Sequence, residues 1–170
     1  MDYSIKKTSL VFVTVGTTSF DDLIDAVLQN ETLEILENRG FTKLLLQIGR
    51  GKEPHIPSSR SLEIVWYRLK DSIAHDMSAA SLIISHAGAG SCIEALETQN
   101  PLIVVVNDKL MGNHQMELAS KLNSDEHAVM CRPQTLASTI ENLNPSIMKK
   151  FPSANPKKFH NYLEKIMGFK

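Results

Sequence analysis

The stretch Ser81-Leu82-Ile83-Ile84-Ser85-His86-Ala87-Gly88-Ala89-Gly90-Ser91 decides the fold. Residues 81–85 form a short apolar run of strand composition, and a glycine-rich loop follows at once. From Gly88 onward the pattern opens a helix, so the segment reads as a strand, a tight turn and a helix N-terminus. At the carboxyl end of a parallel strand, such a turn is a place where ligands bind. Gly88 and Gly90 permit close backbone approach to an oxyanion, and the free N–H groups of the following helix carry roughly half a positive charge. The same glycines also suit a tight turn with no ligand, so on this stretch alone phosphate binding and plain turn geometry are both open.

Outward from this segment the alternation repeats. Strands are expected at 9–15, 41–48, 62–69, 101–107 and 128–131, and helices at 20–29, 72–80, 111–122 and 134–143, the last one opened by Pro133. Strands apolar on both faces need helices on both sides, which predicts a Rossmann-like α/β domain with a doubly wound, mostly parallel sheet. Residues 49–60, with Gly49, Gly51, Pro54 and Pro57, read as a mobile loop. Pro145, Pro152 and Pro156 precede a final helical run, so 1–143 is expected to be one domain and 144–170 an appended arm.

Composition narrows the function classes. The 170 residues, 42% hydrophobic and 22% charged, suit one packed domain. Lys+Arg 18 against Asp+Glu 19 leaves no basic excess for a polyanion, so nucleic acid is not an expected partner. Two cysteines, Cys92 and Cys131, lie far apart in apolar surroundings and read as buried, reduced thiols. The apolar run ending at Val15 reads as a strand and not as a signal peptide. The longest uninterrupted apolar stretch, 102–106, is far below the ~20 residues of a membrane-spanning helix, so any membrane attachment is expected to come through a partner. His55 and His75 have no carboxylate or cysteine at ligand spacing, and no metal is expected.

Three loops after strands carry candidate chemistry. Ile93 and Glu94 stand where a dinucleotide fingerprint needs its third glycine, and Gly49-Arg50-Gly51-Lys52 is followed by Glu53 and lacks the P-loop spacing. Neither NAD nor P-loop ATP chemistry is expected. Glu94, one turn into the helix, leans back toward the glycine loop, where two ribose hydroxyls would suit its carboxylate. Ser91-Cys92-Ile93-Glu94 equally fits a capping box. Asn113, His114 and Gln115 offer donors and acceptors for sugar hydroxyls, or form a polar loop with Asn113 as N-cap. Gly16-Thr17-Thr18, after the first strand, could reach a phosphate. In the arm, Phe159, Tyr162, Leu163, Ile166 and Met167 recur at helical spacing, a stripe to bury either on its own domain or on a partner.

The segments Val13-Thr14-Val15-Gly16-Thr17-Thr18, Leu46-Gln47-Ile48-Gly49-Arg50, Ile84 to Ser91 and Pro101 to Asn107, closed by Asn113-His114-Gln115, together resemble the glycosyltransferase family 28 C-terminal domain over roughly residues 9–143. The resemblance implies the donor-binding half of a GT-B enzyme, with a membrane-anchored partner supplying the acceptor half. It implies UDP-N-acetylglucosamine as donor, dolichol diphosphate-linked N-acetylglucosamine as acceptor reached through the partner, and inverting β1,4 transfer at the cytosolic face of the endoplasmic reticulum, early in N-glycosylation. By the same resemblance Gly88, Ala89, Gly90 and Ser91 hold the diphosphate, with Gly16 and Thr17 facing it. Glu94 holds the ribose, and Asn113, His114 and Gln115 meet the sugar. His86 and His114 are the candidate bases in this chain, and no cofactor or metal is expected. Met116 follows Gln115 where bacterial relatives often carry a second glutamine. The family's use of its last helix favours a partner for the arm's stripe. A rival reading, with the same loops, is a UDP-sugar-binding adaptor without turnover.

Overall fold

The computed structural model describes residues 9–58, 60–110, 114–151 and 156–167. Six strands, β1 (Leu10–Thr14), β2 (Lys43–Gln47), β3 (Glu63–Tyr67), β4 (Leu82–His86), β5 (Leu102–Val105) and β6 (Val129–Cys131), form one sheet in the order β3-β2-β1-β4-β5-β6. Every pairing is parallel, with Val11 opposite both Leu44 and Leu82. Among the described residues seven α-helices accompany them: α1 (Asp21–Val27), α2 (Asn30–Asn38), α3 (Ala74–Ala79), α4 (Ala89–Glu97), α5 (His114–Ser124), α6 (Leu136–Glu141) and α7 (Pro156–Met167).

The period-2 pleat divides the core in two. Val11, Val13, Leu44, Leu46, Ile84 and Ile103 face one side, where Leu23, Leu33, Leu36, Leu136 and Ile140 bring in α1, α2 and α6. Phe12, Leu45, Ile83, Leu102 and Val104 face the other, against Met77 of α3, Cys92 and Ala95 of α4, and Leu118 and Leu122 of α5. The sheet is doubly wound, as its continuous apolar strands require. Cys92 and Cys131 are both free and buried, and burial pushes the Cys92 thiol up to about 12.

The helix expected over 20–29 is α1 alone, and α2, which follows it, had no counterpart in the sequence reading. α1 stops at Val27, Gln29 is extended (φ −64°, ψ 144°), and α2 starts at Asn30. The buried Thr32 hydroxyl donates to Ala26 O at 2.7 Å and holds the second helix against the last turn of the first. The arm lies against the sheet domain. Phe151 is buried beside Tyr162, with ring centroids 5.1 Å apart, and the Tyr162 hydroxyl donates to Asp125 at 2.8 Å. Gln99, in the left-handed region at φ 62°, donates its amide to Phe151 O at 2.8 Å. Among the described residues no helix is long and apolar enough to cross a membrane.

Candidate functional site

The strand order reverses direction between β1 and β4, and in such sheets the crevice beyond the carboxyl ends at that point is the ligand site. A cleft of about 410 Å³ opens there. Its first wall is Gly16, Thr17 and Thr18 after β1, its second Gly88, Gly90, Ser91 and Glu94 of the α4 entrance, and its third the segment 69–73 after β3.

The first wall is fixed from beneath by polar groups at the strand ends. Thr14 and Gln47 are buried, and the Thr14 hydroxyl donates to Gln47 Oε1 at 2.5 Å while accepting from Gly16 N at 3.1 Å. The Gln47 amide nitrogen donates to Gly16 O at 2.6 Å and to Arg68 O at 2.7 Å, joining the first and third walls. Gly16 is left-handed at φ 66°. The beginning of the loop expected to be mobile is tied into this frame. Arg50 N donates to Thr18 O at 2.9 Å, and the Arg68 guanidinium donates to Gly51 O at 2.7 Å.

On the second wall α4 starts at Ala89 with Gly88 as its N-cap, and no side chain caps it. The helix's own first hydrogen bond runs from Cys92 N to Gly88 O, which leaves the N–H groups of Ala89, Gly90 and Ser91 outside the helical ladder at the positive end of the dipole. The capping-box alternative is therefore not realised: Gly88, extended at ψ 133°, starts the helix three residues earlier than Ser91 would. The Ser91 hydroxyl instead meets His86 Nε2 at 3.2 Å. Glu94 is exposed on the cleft, and its carboxylate has no hydrogen-bond or ion-pair partner among the described residues. Burial pushes the His86 imidazole down to about 4, so the ring is neutral near pH 7.

The third wall was not foreseen from sequence. Lys70 Nζ donates to Asp76 at 2.8 Å and sits 4.2 Å from the centre of the Tyr67 ring, whose hydroxyl donates to the same Asp76 oxygen at 2.6 Å. Burial raises the Asp76 carboxyl, but the hydrogen bonds from Lys70 and Tyr67 outweigh it and hold it below the ordinary value of 3.8. Burial and the Asp76 bond push the Tyr67 hydroxyl far above its usual range. Asp76 contributes stability that is complete above the ordinary carboxylate value and is lost as pH falls below it through the lower folded value. Asp76→Asn is expected to cost about 1–2 kcal/mol at pH 7, the half-exposed Lys70 discounting the full cost of a broken buried pair. Urea unfolding at pH 7 and pH 3 checks this: the gap between variant and parent narrows at the lower pH.

Of the residues expected at the site, the cleft brings together Gly16, Thr17, His86, Gly88, Gly90, Ser91 and Glu94, with Ala89 beside them as the first residue of α4. His114 and Gln115 begin α5 after β5 and do not line it. Asn113 lies outside the described residues, as do the side chains of Phe159, Leu163, Ile166 and Met167. The polar loop before α5 is engaged locally. Asn107 accepts from Lys109 N at 3.1 Å, Asp108 pairs with Arg132 at 2.8 Å, and Lys109 pairs with Asp22 at 2.8 Å. A lone glutamine closing the apolar strand Leu44-Leu45-Leu46 was the available signal for Gln47. Lys70 and Asp76 had none, because their pairing with Tyr67 exists only in three dimensions.

A crossover sheet with an anion-ready helix N-terminus at its switch point, and an acidic side chain one turn along, makes a site able to take an anion beside hydroxyl groups. The chain belongs to the glycosyltransferase family 28 C-terminal domain family, whose model matches residues 10–166 and so takes in the arm. It is 52% identical over 129 residues to the human UDP-N-acetylglucosamine transferase subunit ALG13, covering 74% of this chain and 11% of that protein. The chain thus spans about a tenth of the length of that relative, and the same holds for the mouse protein. To the Yarrowia lipolytica protein of the same name it is 42% identical over 132 residues, covering 75% of this chain and 67% of the other. Among solved structures, the NMR structure of ALG13 superposes with a TM-score of 0.70 at 25% identity, covering 92% and 94% of the two chains. Acinetobacter baumannii MurG shares the fold, with a TM-score of 0.60 at 18% identity over 83% of this chain and 43% of MurG.

Proposed function

We propose that this chain is the catalytic, donor-binding subunit of a two-chain N-acetylglucosaminyltransferase. It takes N-acetylglucosamine from UDP-N-acetylglucosamine and passes it, with inversion, to the 4-hydroxyl of dolichol diphosphate-linked N-acetylglucosamine. The acceptor sits on a membrane-anchored partner at the cytosolic face of the endoplasmic reticulum. The observation that carries this reading is the pairing, in one cleft, of the three unladdered N–H groups of Ala89, Gly90 and Ser91 with the unpartnered Glu94 carboxylate. The N–H groups suit a diphosphate whose charge grows as the glycosidic bond breaks, so they stabilise the transition state more than the bound donor. Glu94 suits the two ribose hydroxyls. The names of the curated relatives support the donor and the word subunit supports a partner.

The base that deprotonates the acceptor is best assigned to the partner, across the cleft, because His114 does not line the cleft and a base near pKa 4 such as His86 is poorly matched to neutral pH. The arm, whose Tyr162 packs on Phe151 and Asp125 of its own domain, is the candidate contact for that partner through the rest of its 159–167 stripe.

Calorimetry with UDP-N-acetylglucosamine, UDP-glucose, ATP and NAD tests the reading. Selective binding of the first is expected, and Glu94→Ala is expected to weaken it about tenfold or more, the value of charge-assisted hydrogen bonds to two hydroxyls. Equal binding of ATP or NAD, or an unchanged affinity in Glu94→Ala, would sink it. Turnover only when the membrane subunit is added separates the enzyme from a regulatory adaptor.

A further inference from the structure

The His86 ring is wedged between two glycines. A Cβ on Gly16 would come 2.6 Å from His86 Nε2, and a Cβ on Gly88 would come 2.2 Å from Cε1, so the imidazole fills the space both residues leave. It is a cleft residue whose Nε2 lies 3.2 Å from the Ser91 hydroxyl, in the first turn of α4. Packed this way, the ring lies directly against the backbone of both turns. We propose that His86 is a positioning residue that donates from Nε2 to Ser91 Oγ, which fixes the serine hydroxyl in place and aims its proton at the diphosphate of the bound nucleotide. The inference rests on the donor-site reading above.

The argument is one of proton count. A neutral imidazole carries a single N–H, on one nitrogen or the other. With the proton on Nδ1, Ser91 commits its O–H to Nε2, and its oxygen turns only lone pairs to the cleft, which repel an anion. With the proton on Nε2, the ring donates and the serine O–H is free. It then joins the backbone N–H groups of Ala89, Gly90 and Ser91 as a further donor at the same helix end. An anion at that end therefore selects the Nε2–H tautomer, and the glycine clamp holds the nitrogen where the selection takes effect. Hydrogen bonds from neutral donors to a charged acceptor are among the stronger ones, so the pair acts on affinity without carrying charge itself.

The experiment measures UDP and uridine binding by calorimetry to the 170-residue chain and to His86→Ala, His86→Gln, Ser91→Ala and the His86→Ala/Ser91→Ala double variant. Long-range 1H–15N spectra of the His86 ring are recorded with and without UDP. The expected result is a loss of UDP affinity of about tenfold in each alanine variant, with uridine affinity changed less than about twofold. The double variant is no worse than either single one, His86→Gln recovers most of the loss through its own Nε2 amide, and the spectra show Nε2–H in the UDP complex. Multiplying losses, an equal fall for uridine, failure of rescue in a folded His86→Gln variant, or an Nδ1–H ring in the complex would each overturn the proposal. If the parent chain binds neither UDP nor uridine, the donor-site reading itself fails and takes this role with it. Should His86→Ala unfold, Ser91→Ala and His86→Gln carry the same comparison.

Discussion

Gly90→Val is expected to abolish measurable binding of UDP-N-acetylglucosamine while leaving the melting temperature little changed. Gly90 lies on the cleft, yet a Cβ built on it meets nothing within 4 Å, so the added side chain leaves the backbone into open space. As a first-turn residue of α4 it changes helix stability little, because valine is itself a weaker helix former than alanine. The variant therefore subtracts only what the empty space is for. Displacing a diphosphate from two charge-assisted backbone hydrogen bonds costs about 3 kcal/mol or more, which is about 100-fold in affinity. Gly88→Val makes the contrast: its Cβ would lie 2.2 Å from His86, so both folding and binding are expected to suffer. Calorimetry beside thermal melts reads both quantities. Parent-like affinity in a folded Gly90→Val chain would mean that the anion does not sit at the α4 N-terminus.

The sheet and the second wall of the cleft were legible because their signals are local. Strands such as Leu102–Val105, apolar on both faces, can only be buried on both faces, and glycines placed between a strand and a helix mark a backbone that must turn or approach something closely. What escaped has a common physical cause. The helix α2 had no counterpart in the sequence reading, and its start depends on an extended Gln29 and on Thr32 bonding back to α1. The start of α4 was ambiguous because Ser91 and Glu94 satisfy the capping pattern by type, whereas backbone geometry at Gly88 sets the helix start. Lys70, Asp76 and Tyr67 converge from a strand, a loop and a helix, and only the folded chain brings their charges and ring together. His114 and Gln115, singled out by type, begin α5 and do not line the cleft, since residue type says nothing about which loop borders the switch point.

Gly49→Ala is expected to be the most destabilising Gly→Ala change among the described glycines. Gly49 sits at φ 56°, where a side chain costs roughly 1–2 kcal/mol by itself. The larger problem is its neighbours. A Cβ there would lie 2.1 Å from Thr18 O and 3.0 Å from Gly16 O, both backbone atoms of the first wall of the cleft. A flexible side chain could yield, but these carbonyls are held. Thr18 O accepts from Arg50 N at 2.9 Å, and Gly16 O accepts from the buried Gln47 amide at 2.6 Å. Strain of this kind adds about 1–3 kcal/mol, so the total is about 2–5 kcal/mol. At about 2–4 °C per kcal/mol, the melting temperature falls on the order of 10 °C. Because the displaced carbonyls belong to the cleft, donor affinity falls as well, measured below the new transition. Gly40→Ala supplies the internal reference: φ is 88° there, but a Cβ meets nothing within 4 Å, so it pays conformational strain alone. The difference between the two variants in denaturant unfolding isolates the clash with the first wall. Equal losses would mean that the Gly16–Thr18 loop yields freely and does not hold the cleft in shape.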